Sequence, residues 1–364
     1  MAFTRKKGNK KTAPDYSIGC AVWETTLACN MKCTHCGSSA GKARPDELDT
    51  GECIKLVEDL AQLGCGTVAL MGGEPLVRDD WKQIAGCVKD LNMDLSIVSN
   101  GLLMEKYMDR ISSLEPKVVG ISLDGLKKTH DSIRRKGSFK TAMNAIKLLR
   151  DNDIQVTVIT TVSKKNFNDL TRMKDLVIKK GVNWQIQVAM PMGNFDREHL
   201  ISDEDYYAVA MFIASQRIKH PFEELPVIGA HCFGYHSKLL PDSNTWKGCT
   251  AGISSLGITS NGGVAGCLSM GNNRFIEGNI RKRSIIDIWK DPNSFRYNRK
   301  FKTSDQGGNC SGCRYGESCK GGCNSMSYSL TEKMHNDPYC FKRIEEEIIG
   351  VKKGIFERIK TRLR

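Results

Sequence analysis

Cysteine in this chain falls at spacings that limit what its two halves can become. Residues Cys29-Asn30-Met31-Lys32-Cys33-Thr34-His35-Cys36 read C-x3-C-x2-C. Far downstream come Cys249, then Cys267, then the run Cys310-x2-Cys313-x5-Cys319-x3-Cys323, and finally Cys340. The chain holds 15 cysteines in 364 residues. The segment around the long run is glycine-rich with few apolar stretches, so it cannot bury much core and needs staples. Disulfide staples would require an oxidising compartment. Met1 to Pro14 is polar and basic, without the apolar stretch of a secretory signal. No apolar run reaches the roughly 18 residues of a membrane span. The expected setting is the cytoplasm, without a membrane partner, where clustered cysteines more often ligate metal.

Between Ile18 and Met190, β-rich runs alternate with amphipathic stretches. Strands are expected over Gly19–Thr25, Thr67–Met71, Asp94–Ser99, Val118–Leu123, Gln155–Thr161 and Asn183–Ala189. Helices are expected near 50–63, 79–91, 103–113, 138–151 and 166–180, the first capped by Asp49. This alternation predicts an α/β fold with a parallel sheet, whose sites lie at the C-terminal ends of its strands. After Pro191 the composition changes. A linker or bridging segment is expected over 191–248, with a helix near 202–218. A stapled, loop-rich domain should follow over 249–345. A flexible basic tail (1–17) and a basic C-terminal helix (346–364) should flank the rest, with helical pattern beginning at 341.

The net charge of +13 sits mostly at those ends. Residues 1–12 contribute +5 and residues 351–364 another +5, leaving +3 for the body. Solvated tails are the expectation, and nucleic acid is not an expected partner.

Three thiolates on one short loop can hold three irons of a four-iron, four-sulfur cluster, leaving the fourth for a small molecule. Zinc is the rival, but a structural zinc site closes with four ligands, and His35 inside so tight a triplet is badly placed to supply one. Other motifs occupy the ends of successive strands. Gly72-Gly73-Glu74-Pro75 follows the second, Ser99-Asn100-Gly101 the third, and Ser122-Leu123-Asp124-Gly125 the fourth, with His130-Asp131-Ser132-Ile133-Arg134 after it. The glycine pair lets backbone approach a ligand closely, and Glu74 can accept a hydrogen bond from an ammonium. Singly, each has an ordinary reading: a turn, a helix cap, a turn asparagine, a surface arginine.

Together, in strand order, these motifs resemble those of the radical S-adenosylmethionine superfamily. The resemblance implies a partial (β/α)6 TIM-like barrel and a cluster on Cys29, Cys33 and Cys36. It implies cofactor contacts by Gly72, Gly73, Glu74 and Pro75 toward the methionine amino group and by Ser99 and Asn100 toward the ribose. Ser122, Asp124 and Arg134 would hold its other polar groups. An electron from the reduced cluster would then break a carbon–sulfur bond and release a 5′-deoxyadenosyl radical.

The C-terminal cysteines resemble a SPASM domain, an iron–sulfur-stapled domain with two auxiliary clusters. Carried over, Cys310, Cys313, Cys319 and Cys340 would hold the outer cluster, and Cys249, Cys267 and Cys323 the inner one. Ser255 stands where some relatives place a further cysteine, and Cys232 is a candidate fourth ligand. Cys20, Cys53, Cys65 and Cys87 read as packing thiols. Paired C-x2-C motifs also suit zinc, and a zinc protein binding RNA through its basic ends is the alternative of a different class.

Within the superfamily, sulfatase-maturating enzymes carry an aspartate directly after the second SPASM cysteine; here Leu268 stands there, then Ser269 and Met270. Peptide-modifying members often carry a fused leader-recognition domain. Here the barrel starts near residue 18, so the leader is expected to be bound by a separate leader-binding protein or by the basic surface. The resemblance thus points to oxidation, crosslinking or epimerisation of a ribosomally made peptide, with tetrapyrrole side-chain modification as the alternative. Flavodoxin or ferredoxin would supply the electron. No general acid or base can be assigned from the sequence.

Overall fold

The computed structural model describes residues 16–230, 233, 236, 237, 246–270 and 273–349. The charged stretches at both ends and Cys232 lie outside the described residues. Strands β1 (Cys20–Thr26), β2 (Thr67–Gly72), β3 (Asp94–Ser99), β4 (Val118–Ser122), β5 (Val156–Val162), β6 (Asn183–Val188) and β7 (Val227–Gly229) each pair in parallel with the next. The intervening helices are α1 (Thr50–Gln62), α2 (Trp81–Asp90), α3 (Met104–Ser112), α4 (Lys127–Ile133), α5 (Ser138–Asp151), α6 (Leu170–Lys180) and α7 (Asp203–Lys219). This is the expected α/β arrangement of parallel strands and crossover helices.

Local chemistry sets the elements. Asp49 caps α1 through a capping box: its carboxylate accepts from Glu52 N at 2.8 Å, and Glu52 returns the bond to Asp49 N at 3.0 Å. Along β3, β5 and β6, fully buried residues alternate with half-buried ones. Leu95, Ile97, Val156, Val158, Trp184 and Ile186 belong to the sealed core. The alternate residues, among them Val98 and Thr161, face a cleft instead. A purely layered parallel sheet would bury both faces.

Two features add to the expected elements. The sheet does not end at β6. The bridging segment adds β7 on one side, and the cysteine-rich segment adds β8 (Ser255–Ile258), parallel to β1, on the other. β9 (Gly263–Ala265) and β10 (Gly278–Asn279) continue it antiparallel, giving one open ten-stranded sheet in the order β10-β9-β8-β1-β2-β3-β4-β5-β6-β7. The runs Ser-Leu-Gly-Ile and Gly-Val-Ala are too short to show a period of two, yet pairing covers the exposed edge of β1. Helix α4 was also not expected: seven residues with only His130 and Ile133 buried carry no readable apolar stripe.

Beyond β10 the chain turns through short helical pieces, as a loop-rich segment should. At its end Phe341–Ile344 is α-helical and Glu345–Ile349 continues as a π turn. Cys53 and Cys65 are buried thiols, while Cys20 and Cys87 are half-buried. No described helix is long and apolar enough to cross a membrane.

Candidate functional site

The loop after β1 carries Cys29, Cys33 and Cys36 to the C-terminal ends of the strands. Backbone bonds fix it: Cys29 N to Gly41 O at 3.0 Å, Thr34 N to Ile133 O at 2.9 Å, and Asn194 N to Cys36 O at 2.9 Å. The glycine pair after β2 packs onto the start of this loop. Gly73 N donates to Thr26 O at 2.8 Å and Glu74 N to Ala28 O at 2.9 Å. A Cβ on Gly72, whose φ is +135°, would lie 2.4 Å from Thr26 O, and one on Gly73 2.1 Å from Ala28 O. The glycines are thus needed first for fitting one strand end against the loop of the next.

A cleft of about 180 Å³ opens there. The three thiols, Gly72, Gly73, Ser99, Asn100, Ser122 and Arg134 all line it. Each thiol has a polar neighbour: Ala40 N lies 3.3 Å from Cys36 Sγ, Arg134 Nη1 3.8 Å from Cys33 Sγ, and Asn100 Nδ2 3.9 Å from Cys29 Sγ. Burial pushes the Cys33 thiol up to about 11, against the pull of the Arg134 charge. Anionic thiolates there call for a strongly positive partner, as an iron cluster provides.

Glu74, Pro75 and Asp124 stand behind the cleft rather than on it. Glu74 is fully buried and turned toward the strand ends, accepting from Ser99 Oγ at 2.9 Å, Asn100 N at 2.8 Å and Leu76 N at 3.4 Å. Burial pushes its carboxyl up to about 7. In this geometry Glu74 holds Ser99 and Asn100 in place, with its carboxylate turned from the cleft. Asp124 is a buried hub: its Oδ2 meets Arg134 Nε at 2.5 Å and His35 Nε2 at 2.9 Å, and its Oδ1 accepts from Thr161 N at 2.9 Å. Burial alone would raise its pKa; the Arg134 charge, then His35, hold it well below the ordinary carboxylate range. His130 Nδ1 accepts from Asp124 N at 3.0 Å, and burial pulls its pKa down to about 4.

The sequence signals missed three contributors. Asn30 is bonded to Asn100 at 2.8 Å, Thr161 lines the cleft, and Asn166 clamps the Asp124 and Thr161 carbonyls at 2.8 and 2.9 Å. None lies in a motif, although Asn30 sits inside the cysteine triplet and could have been suspected.

The seven C-terminal thiols separate into two neighbourhoods. Cys267 lies within electrostatic reach of Cys323, and Cys323 of Cys249. Cys310 feels Cys340 and Cys313, and Cys319 feels Cys340 and Cys310. Burial pushes Cys310, Cys319 and Cys323 up to about 12. Among the described residues no three His, Cys, Asp or Glu groups converge as a single metal ion requires. Cysteine thiolates are the usual ligands of iron–sulfur clusters. Beside the first neighbourhood lies a pocket of about 440 Å³ lined by Phe275, Tyr297, Tyr328 and His335, among others.

The family model of the radical SAM superfamily matches residues 23–177. That of an iron–sulfur cluster-binding domain, SPASM, matches 249–314. The AdoMet-dependent heme synthase of Methanosarcina barkeri is 28% identical over 88% of this chain and 96% of its own length. The mycofactocin maturase MftC of Mycobacterium tuberculosis is 27% identical over 91% of this chain and 85% of its own. The crystal structure of Streptococcus suis SuiB bound to S-adenosylmethionine superposes with a TM-score of 0.73 at 16% identity, over 90% of this chain and 76% of that one. At that identity the likeness speaks for the fold.

Proposed function

The chain belongs to the radical S-adenosylmethionine superfamily and carries a C-terminal SPASM domain, and from that premise we propose that it cleaves S-adenosylmethionine reductively to act on a ribosomally made peptide. When bound, the cluster and the sulfonium supply a 5′-deoxyadenosyl radical able to take hydrogen from an unactivated carbon. Cys29, Cys33 and Cys36 would hold three irons of that cluster. Arg134, pinned by Asp124, keeps a positive charge beside Cys33 on the cleft wall and would pair with an anionic group of the bound cofactor. Gly72 and Gly73 offer backbone at the cleft wall, while Glu74 fixes Asn100, which would meet the ribose of a bound cofactor. Met71 and Val98 give that wall an apolar surface. The two C-terminal thiol neighbourhoods would hold two auxiliary clusters, which would supply an acceptor for an electron from the substrate, with flavodoxin or ferredoxin as the source of the priming electron.

One observation supports this reading above the rest: three thiols, a glycine pair and Asn100 from three separate strand ends and an ion-paired arginine from the end of α4 meet on one cleft. The peptide reading draws on MftC, a maturase by name and similar over most of both chains. The heme synthase, matched over 96% of its length, supports tetrapyrrole modification as a second reading. Anaerobically reconstituted protein should release 5′-deoxyadenosine with a reductant, and a precursor peptide encoded beside the gene should change mass. Release of 5′-deoxyadenosine with a propionate-bearing porphyrin altered and every such peptide untouched would choose the second reading.

A further inference from the structure

Tyr297 stands between the 440 Å³ pocket and the inner thiols. Its ring lines the pocket and meets Phe275 edge-on at 6.3 Å. Its Oη is buried and has no hydrogen-bond partner among the described residues. Gly266 keeps that place open, since a Cβ there would lie 2.1 Å from Oη. The same Cβ would press on the backbone of Ala251 and Gly252 at 2.9 Å. Gly266 directly precedes Cys267, and Ala251 follows Cys249 by two residues. The hydroxyl therefore lies among the residues that carry two of the three inner thiols, within electrostatic reach of both.

A buried phenol O–H without an acceptor is disfavoured. The sulfurs of an iron–sulfur cluster are acceptors, and other hydroxyls already serve these thiols. Ser325 Oγ lies 3.2 Å from Cys323 Sγ, and Ser269 bonds to Cys267. We infer that Tyr297 donates a hydrogen bond to the iron–sulfur centre held by Cys249, Cys267 and Cys323 and raises its reduction potential. This rests on the reading that those thiols hold a cluster. A donor to cluster sulfur favours the reduced state, which carries one more negative charge. Tyr297 acts here by tuning a centre, with its ring held by Phe275 and its hydroxyl admitted by Gly266.

Tyr297→Phe removes only the oxygen. In anaerobically reconstituted full-length protein, potentiometric titration followed by electron paramagnetic resonance should find the inner centre harder to reduce. The expected change is about tenfold in its equilibrium constant, or ~59 mV for one electron, with the other centres unmoved. Electron–nuclear double resonance needs no variant for its first arm: wild-type protein in heavy water should lose an exchangeable proton coupling at the inner centre, and the variant should lack that coupling from the start. An unmoved inner potential overturns the inference. So does an equal shift of every centre, which would mark a structural role, or loss of inner iron in the variant, which would make Tyr297 a ligand. Iron content tests the premise separately: if Cys267→Ala and wild type hold equal iron, there is no inner cluster and both readings fall.

Discussion

The barrel mouth and the C-terminal thiol segment present cysteines by opposite means. Cys29, Cys33 and Cys36 hang from a strand end whose neighbours are held by a continuous core through Trp23, Leu70, Ile97 and Ile121. The C-terminal thiols hang from turns. Lys320, Gly321 and Gly322 are consecutive left-handed residues with φ of 54°, 75° and 82°. A Cβ on Gly321 would lie 2.3 Å from the His335 carbonyl. That turn sends Cys319 to one neighbourhood and Cys323 to the other. A scaffold of strands can hold its loop ready before metal arrives; a scaffold of turns gains much of its folding free energy from the metal itself.

Cysteine substitutions should divide the two regions most sharply. Cys33→Ala is expected to lower 5′-deoxyadenosine release by about three orders of magnitude or more while the C-terminal iron stays bound. Cys313→Ala should leave sulfonium cleavage within about an order of magnitude and remove iron from the outer set alone. Iron analysis beside product chromatography checks both. Cleavage surviving Cys33→Ala would erase the distinction between the regions.

Iron removal is the next test. With iron chelated, amide exchange across residues 303–345 should accelerate by about a hundredfold or more, while β2 to β5 keep their protection. Uniform acceleration would mean that the two regions are one cooperative unit joined through β8 and β1.

The barrel region contains its own weak point in Asp124. Asp124→Asn leaves Arg134, 12% exposed at the cleft wall, without its counter-charge; breaking a buried pair costs about 3–5 kcal/mol, and solvent in the cleft lowers the cost here. The variant should melt lower and bind S-adenosylmethionine more weakly, as calorimetry would show. A variant of unchanged stability would mean that Arg134 finds another partner.

The same contrast explains what could be read in advance. The first six strands were legible because β-rich runs of five to seven residues, apolar or alternating, recur between amphipathic helices. The cysteine spacings and strand-end motifs named the cleft residues, since each motif sits at a turn with a specific chemical demand. The roles of Glu74 and Asp124 behind the wall were not legible. A carboxylate's direction depends on which distant N–H groups the fold delivers, here from Asn100 and Thr161. The joining of β8 to β1 was equally hidden, because four residues carry no period and the partner lies more than two hundred residues upstream.

Glu74 gives the smallest and most specific test. Burial raises its folded pKa from 4.5 to about 7, so the folded protein binds the proton more tightly than the unfolded chain does. Stability of the cofactor-free protein must then fall as pH rises through that interval, by up to about 3 kcal/mol at about 1.4 kcal/mol per unit. Glu74→Gln cannot ionise, and because it keeps an acceptor oxygen for only one of Ser99 Oγ and Asn100 N, the slope with pH rather than the absolute midpoint is the readout. Denaturant midpoints measured from pH 5 to pH 8 should therefore fall more steeply for wild type than for the variant. Parallel slopes would mean that Glu74 is ionised throughout, held charged by a partner that its three hydrogen bonds do not account for.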